Sequence, residues 1–266
     1  MEHVFDTPGP VRLRITIGAG DIQVDTEDRT ETEVHVVALN RAAEEAVAQM
    51  TVRCEERGGR YEVVVEEPKR GFVSSLFNTA EIGVRVRCPH QADVQLQTGS
   101  GDARVQGDVD SAQARTGSGD MAFDSVRGDL SVNSASGDVT AGDIGGACSV
   151  KTASGDVRLT RVDGELLATL VSGDLNVVWA NGSTTVQSVS GDLHIGAIAA
   201  GEVRLQAVSG DIHVGVRPGL RLFIDATSVS GDMTSELDSA EGPPADGQLV
   251  ELRAKTVSGD VRIVRG

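Results

Sequence analysis

Apolar and polar residues alternate along most of this chain, and the alternation restarts at each Ser-Gly-Asp triplet. The triplets end at Asp102, Asp120, Asp138, Asp156, Asp174, Asp192, Asp211, Asp232 and Asp260, at intervals of 18, 18, 18, 18, 18, 19, 21 and 28 residues. The residue after each aspartate is apolar (Val157, Leu175, Leu193), and the one after that is mostly polar (Arg158, Asn176, His194). The third is apolar again (Leu159, Val177, Ile195) in every repeat except that of Asp232, where Ser235 stands. A period of two predicts a strand with one buried face. Eight and six residues before the aspartate the pattern recurs, as Cys148 and Val150, Leu166 and Ala168, Thr184 and Val186. Gly128, Gly146, Gly164 and Gly182 open this second strand. Each 18-residue repeat therefore predicts two glycine turns and two short strands.

One such coil cannot bury its apolar face alone, whereas a stack of coils can. The fold expected is all-β, a parallel β-solenoid of the β-helix or β-roll kind, occupying residues 91–266. The earlier "GAGDIQV" fits the same register, with Leu13 and Ile15 before Asp21 and Ile22 and Val24 after it. Residues 1–90 are thus expected to hold a first coil and an inserted α+β cap. In the insertion, "ETEVHVVAL" and "IGVRVRC" alternate as strands and "RAAEEAVAQM" is rich in helix formers. The segment "TVRCEERGGRYEVVVEE" predicts a hairpin around Gly58-Gly59. A cap of this kind covers open strand edges that otherwise invite aggregation.

Composition agrees with this picture. Glycine is abundant, at 32 of 266 residues, and aromatics make up only 3%. With 24 basic and 40 acidic residues the net charge is -16, which repels nucleic acid and anionic membranes. No apolar run approaches the roughly 20 residues of a membrane helix. The N-terminus shows no positively charged segment leading into an apolar one, so a cytoplasmic location is expected. Cys54, Cys88 and Cys148 lack metal-ligand spacing and fit free thiols.

Why Ser-Gly-Asp? Glycine reaches backbone angles closed to other residues, and Ser and Asp side chains bond turn amides. Ser154, Gly155 and Asp156, like Ser172, Gly173 and Asp174, are read first as turn residues. Stacked at the coil spacing of about 4.8 Å, neighbouring carboxylates repel by about 0.9 kcal/mol in water. The alternative is a calcium row along Asp120, Asp138, Asp156, Asp174 and Asp192, as in β-roll nonapeptides. In that motif, however, the aspartate stands one residue further from the glycine than in Gly155-Asp156.

No catalytic constellation emerges, so no enzyme and no resident cofactor are expected. His194 and His213 share one outward position in successive coils and lack a third metal ligand. Phe72, Leu76 and Phe77, in "PKRGFVSSLFN", and Trp179 are the candidate contact residues for a partner. The acidic stretch "SELDSAEGPPADGQ" accounts for the longest interval and reads as a solvated loop.

The motifs "TGSGDARVQG", "TASGDVRL", "VSGDLHIG", "VRPGLRLFIDATSVSGD" and "KTVSGDVRIVRG" together resemble the bacterial "putative adhesin" β-strand-repeat family. That resemblance spans essentially the whole chain and implies the solenoid fold and, loosely, an association with the cell envelope. The function expected is a non-catalytic scaffold or binding module that offers rigid faces to a protein or glycan. A second expectation is a self-assembling protein resembling bactofilins, a homo-oligomer joined through solenoid ends and motivated by the uncapped closing "SGDVRIVRG". The third is a calcium-binding β-roll.

Overall fold

The computed structural model describes residues 1–68, 80–236 and 249–265. It is a parallel β-solenoid in two compact units, Met1–Gly137 and Asp138–Gly266. Apart from the helix Ala43–Ala48, the described regular structure is strand.

In the first unit the long strand Val11–Glu27 turns at Gly20 and supplies both halves of one coil. It stacks directly on the coil that follows the insertion. Leu13 and Ile15 align with Val94 and Leu96, and Ile22 and Val24 with Ala103 and Val105, all in parallel. The insertion does more than cap. Its strands Arg60–Glu66 and Glu81–Pro89 form a further coil on the other edge of Val11–Glu27, with Leu13 beside Val63 and Ile22 beside Val84. Only then does the direction reverse. Thr51–Arg57 pairs antiparallel with Arg60–Glu66, Glu31–Ala38 with Glu81–Pro89, and Glu2–Asp6 with Glu31–Ala38. Gly58 and Gly59, at φ of 61° and 77°, make the two-residue turn between Arg57 and Arg60, where positive φ at both positions matches the strand twist.

In the second unit, strands Cys148–Ser154, Leu166–Ser172, Thr184–Ser190 and Glu202–Ser209 stack in parallel with every Ser-Gly-Asp in register. The strands that follow the triplets, Val139–Ile144 through Ile212–Val216, form the facing row. Between the rows Val150, Leu159, Leu166, Val177, Val186, Ile195 and Leu205 are all buried. Two further inward columns complete the core. One lies four residues before the aspartate and holds Thr152, Leu170, Ser188, Ala207 and Thr256; the other lies six after it in the regular coils, at Ile144, Val162, Ala180 and Ile198.

The order of the last coils corrects the expectation that the closing repeat is terminal. Leu249–Ser258 inserts between Glu202–Ser209 and Arg221–Ser230, and Val261–Arg265 between Ile212–Val216 and Met233–Ser235. The Asp232 coil is therefore outermost, and the closing Asp260 coil is covered on both sides. No helix among the described residues is long and apolar enough to cross a membrane.

Candidate functional site

The aspartate row is a chain of amide-to-carboxylate hydrogen bonds. The Asp174 N–H donates to Asp156 Oδ1 at 3.0 Å, Asp192 to Asp174 at 2.8 Å, Asp211 to Asp192 at 2.8 Å and Asp260 to Asp211 at 2.7 Å. Asp156 donates in the same way to Asp138, and Asp120 to Asp102. Arg158 spans two carboxylates, 2.9 Å from Asp138 and 2.7 Å from Asp156. The Asp156 amide, and then Arg158, hold the Asp138 carboxyl below the usual carboxylate range. The charge repulsion anticipated along the row is thus met by an amide donor at Asp102, Asp138, Asp156, Asp174, Asp192, Asp211 and Asp260.

The glycine beside each aspartate is required twice over. Gly155 and Gly173 have φ of 126° and 119°. A Cβ added to Gly173 would lie 2.3 Å from the Gly155 carbonyl oxygen, well inside contact distance. Ser154 and Ser172 are exposed and stand in register, and the Gly155 N–H donates to the Ser172 carbonyl at 3.3 Å. Among the described residues no three His, Cys, Asp or Glu side chains come together as a metal site. The five aspartates of the calcium alternative stand in single file along the edge of the coils.

Elsewhere the residues singled out separate. His194 and His213 stack, with ring centroids 4.7 Å apart and a tilt of 31°, and Arg262 continues their row. Burial, then His194 and Arg262, lower the His213 pKa below its ordinary 6.5. Trp179 lies between Arg161 and Ala197 in the facing row, 41% exposed, with the Arg217 guanidinium carbon 5.6 Å from its ring centroid. That cation–π contact ties it to its own fold. Phe72, Leu76 and Phe77 lie outside the described residues. Cys88 and Cys148 are buried, which pushes both thiols up to about 12, and burial raises Cys54 as well. None is poised as a nucleophile.

One face stands out that the sequence reading passed over. The residue before each triplet serine is Gly99, Gly117, Ala135 and Ala153 in the earlier coils, then Val171, Val189, Val208, Val229 and Val257. In space the order is Val171, Val189, Val208, Val257, Val229, between paired positions on either side. The first four are 50–51% exposed and Val229 is 76% exposed. They wall a groove of about 540 Å³. Its other side is the row Thr169, Gln187, Gln206, Lys255 and Thr227. The recurrence of "VSGD" was the available signal. A β-branched residue in an outward position of a strand reads as ordinary strand propensity, and only its repetition in neighbouring coils makes a column.

The Toastrack DUF4097 family model matches residues 11–264. Similar solved structures include a "putative adhesin" of Parabacteroides merdae, at 10% identity and a TM-score of 0.36, covering 99% of this chain and 94% of that one. Another, from Bacteroides fragilis, is 12% identical with a TM-score of 0.34 and coverage of 97% and 96%. A "putative cell adhesion protein" of Clostridium sporogenes is 11% identical with a TM-score of 0.29, covering 100% and 99%. No curated protein matches the chain in sequence.

Proposed function

Since the chain belongs to the Toastrack DUF4097 family, we propose that it is a non-catalytic, adhesin-like binding module that holds a protein segment in the valine-walled groove of the second unit. The observation carrying this reading is the column of five outward valines, each at least half exposed and all in register. At about 4.8 Å per coil the column runs roughly 19 Å. A strand laid along it would present alternate side chains about 6.8 Å apart, out of step with the valines. A helix presents a new apolar residue every turn of about 5.4 Å, a closer match, and about 13 residues cover the column. The aspartates lie three residues beyond each valine in a chain of net charge -16, so the helix should carry basic flanks. A glycan would find side-chain hydrogen-bonding groups on the Thr169, Gln187, Gln206, Lys255 and Thr227 side of the groove but not on the valine wall.

The test uses the whole chain and a 14-residue amphipathic Leu/Lys peptide, with a scrambled peptide of the same composition as control, read by fluorescence anisotropy. The ordered peptide should bind more tightly than the scrambled one and lose affinity for the Val189→Ser, Val208→Ser variant. Equal binding of the two peptides, or indifference to the valine substitutions, overturns the reading. So does binding confined to members of a glycan array.

A further inference from the structure

Among the described residues, the outermost coil of the second unit is open on one side. Strand Arg221–Ser230 pairs, among the described residues, only with Leu249–Ser258, and Met233–Ser235 only with Val261–Arg265. Its core positions are correspondingly bare. Ile224 is 38% exposed where its neighbour Leu252 is 0%, and Met233 is 57% exposed where Val261 is 1%. Phe223, on the outward face, is exposed as well. The aspartate row also stops here with one end unfilled. The Asp232 N–H donates to Asp260 Oδ1 at 2.8 Å, but among the described residues no following coil offers an amide to the Asp232 carboxylate. The Gly259 N–H donates to the Ser230 carbonyl, whereas Gly231 has no further coil to donate to among the described residues. An open ten-residue edge with apolar side chains is the feature that stable β proteins cover.

We propose that this coil is the interface of a symmetric dimer, in which two copies of the chain meet edge to edge along Arg221–Ser230. A two-fold axis normal to the sheet runs each strand antiparallel to its copy, so that the free N–H and C=O groups of one edge face those of the other. Centred on Ala226, the pairing sets Phe223 opposite Val229 of the second copy, both on the outward face. It also brings each Arg221 to the Gly231-Asp232 turn of its mate, which supplies a cation to a carboxylate that receives no amide from the described residues. The interface is isologous and closes at two. Growth into a filament would instead need the edge strands of the first unit, and Thr51–Arg57 presents Arg53, Glu55, Glu56 and Arg57, a charged edge of the kind that resists pairing.

The experiment is light scattering coupled to size exclusion on the full chain over a hundredfold concentration range. The wild type should run at twice its 27.7 kDa mass and dissociate on dilution. Phe223→Lys and Arg221→Glu should each weaken the dimer at least about tenfold, with circular dichroism and melting of the monomer unchanged. Exchanging the charges, Arg221→Glu with Asp232→Arg, should restore it, which a merely structural role for Arg221 would not. A wild type that stays monomeric at every concentration overturns the proposal, and so does mass that keeps growing past two. A dimer indifferent to both single variants overturns it too. None of these substitutions is in the valine column, although the dimer edge shares Thr227 and Val229 with the groove.

Discussion

Replacing Gly173 with alanine separates the reasons for which Ser-Gly-Asp recurs. The added Cβ would sit 2.3 Å from the Gly155 carbonyl oxygen and 2.7 Å from its carbon, at φ of 119°. The backbone angle alone costs about 1–3 kcal/mol in a residue with a side chain. Relief of the clash requires the two coils to part by about an ångström at the turn. That stretches three hydrogen bonds between them: Gly155 N–H to Ser172 O, Asp174 N–H to Asp156 Oδ1 and Val157 N–H to Asp174 O. Each contributes about 0.5–1.5 kcal/mol net. Strain and the partial loss of those bonds together predict destabilisation of about 3–6 kcal/mol. Gly58→Ala is the control, because Gly58 also has positive φ, 61°, but nothing within 4 Å of the added atom. It should cost only about 1 kcal/mol. Asp174→Asn keeps an oxygen for the Asp192 amide and should be nearly neutral. Asp174→Ala removes that oxygen and should cost about 1 kcal/mol, as loss of a side-chain cap does. Urea unfolding at pH 7, followed by circular dichroism, gives the midpoints. A Gly173→Ala variant within 1 kcal/mol of Gly58→Ala would refute the idea that close stacking of the turns dictates the glycine.

Calcium and pH test the rest. Millimolar calcium should move the melting temperature by no more than about 1 °C, because the described aspartates stand in file and bond amides. A site filled a hundredfold above its dissociation constant would add about 2.7 kcal/mol, so a rise of about 5 °C or more in melting scans, abolished by EDTA, would reinstate the calcium row. His213 is held below its ordinary 6.5 by burial, then by His194 and Arg262. The unfolded chain therefore takes up that proton first, and stability falls as pH drops from 6.5 through the lower folded value. His213→Gln should flatten urea midpoints measured between pH 7.5 and 5.5, and an unchanged slope would count against the assignment. The carboxylates act in a separate window. Asp138, held low by the Asp156 amide and Arg158, contributes stability that is lost only as pH falls below the ordinary 3.8.

Much of the coil was legible because its physics is periodic. Leu159, Leu166, Ala168 and Val157 occupy alternating positions that repeat every 18 residues, and all four are buried. The columns that escaped notice break the rule that makes such positions visible. Thr152, Ser188 and Thr256 point inward four residues before the aspartate, yet they are polar by name. Thr152 returns its hydroxyl proton to the Ser154 carbonyl at 3.1 Å, and Thr256 to those of Gly210 and Ser258. A hydroxyl bonded to the turn it packs under is compatible with burial. Val162 and Ile144 stand six residues after the aspartate, past two consecutive outward residues, so strict alternation assigns them to the wrong face. The valine column was missed for the opposite reason. Each valine is unremarkable by itself, and only the parallel register turns five of them into a surface.

The order of the coils is a different kind of information. Ile224 and Leu252, or Met233 and Val261, are interchangeable as inward residues, so any coil fits beside any other, and periodicity cannot say which neighbours which. Connection length can. Consecutive coils need 18 or 19 residues from aspartate to aspartate, and those coils stack in sequence order. Where the chain departs from that order, it needs length to step past a coil already laid down. The 28-residue interval between Asp232 and Asp260 returns the chain to the inner side of the Asp232 coil. The long insertion after Val11–Glu27 builds the coil of Arg60–Glu66 and Glu81–Pro89 on one edge of that strand before the chain resumes on its other edge at Ala92–Ser100. Such a detour leaves as the outermost coil one that was built early and bypassed, rather than the one that closes the chain. This is why the closing strand Val261–Arg265 is covered on both sides, and why, among the described residues, the unpaired edge with Phe223 and Met233 exposed belongs to residues 221–235.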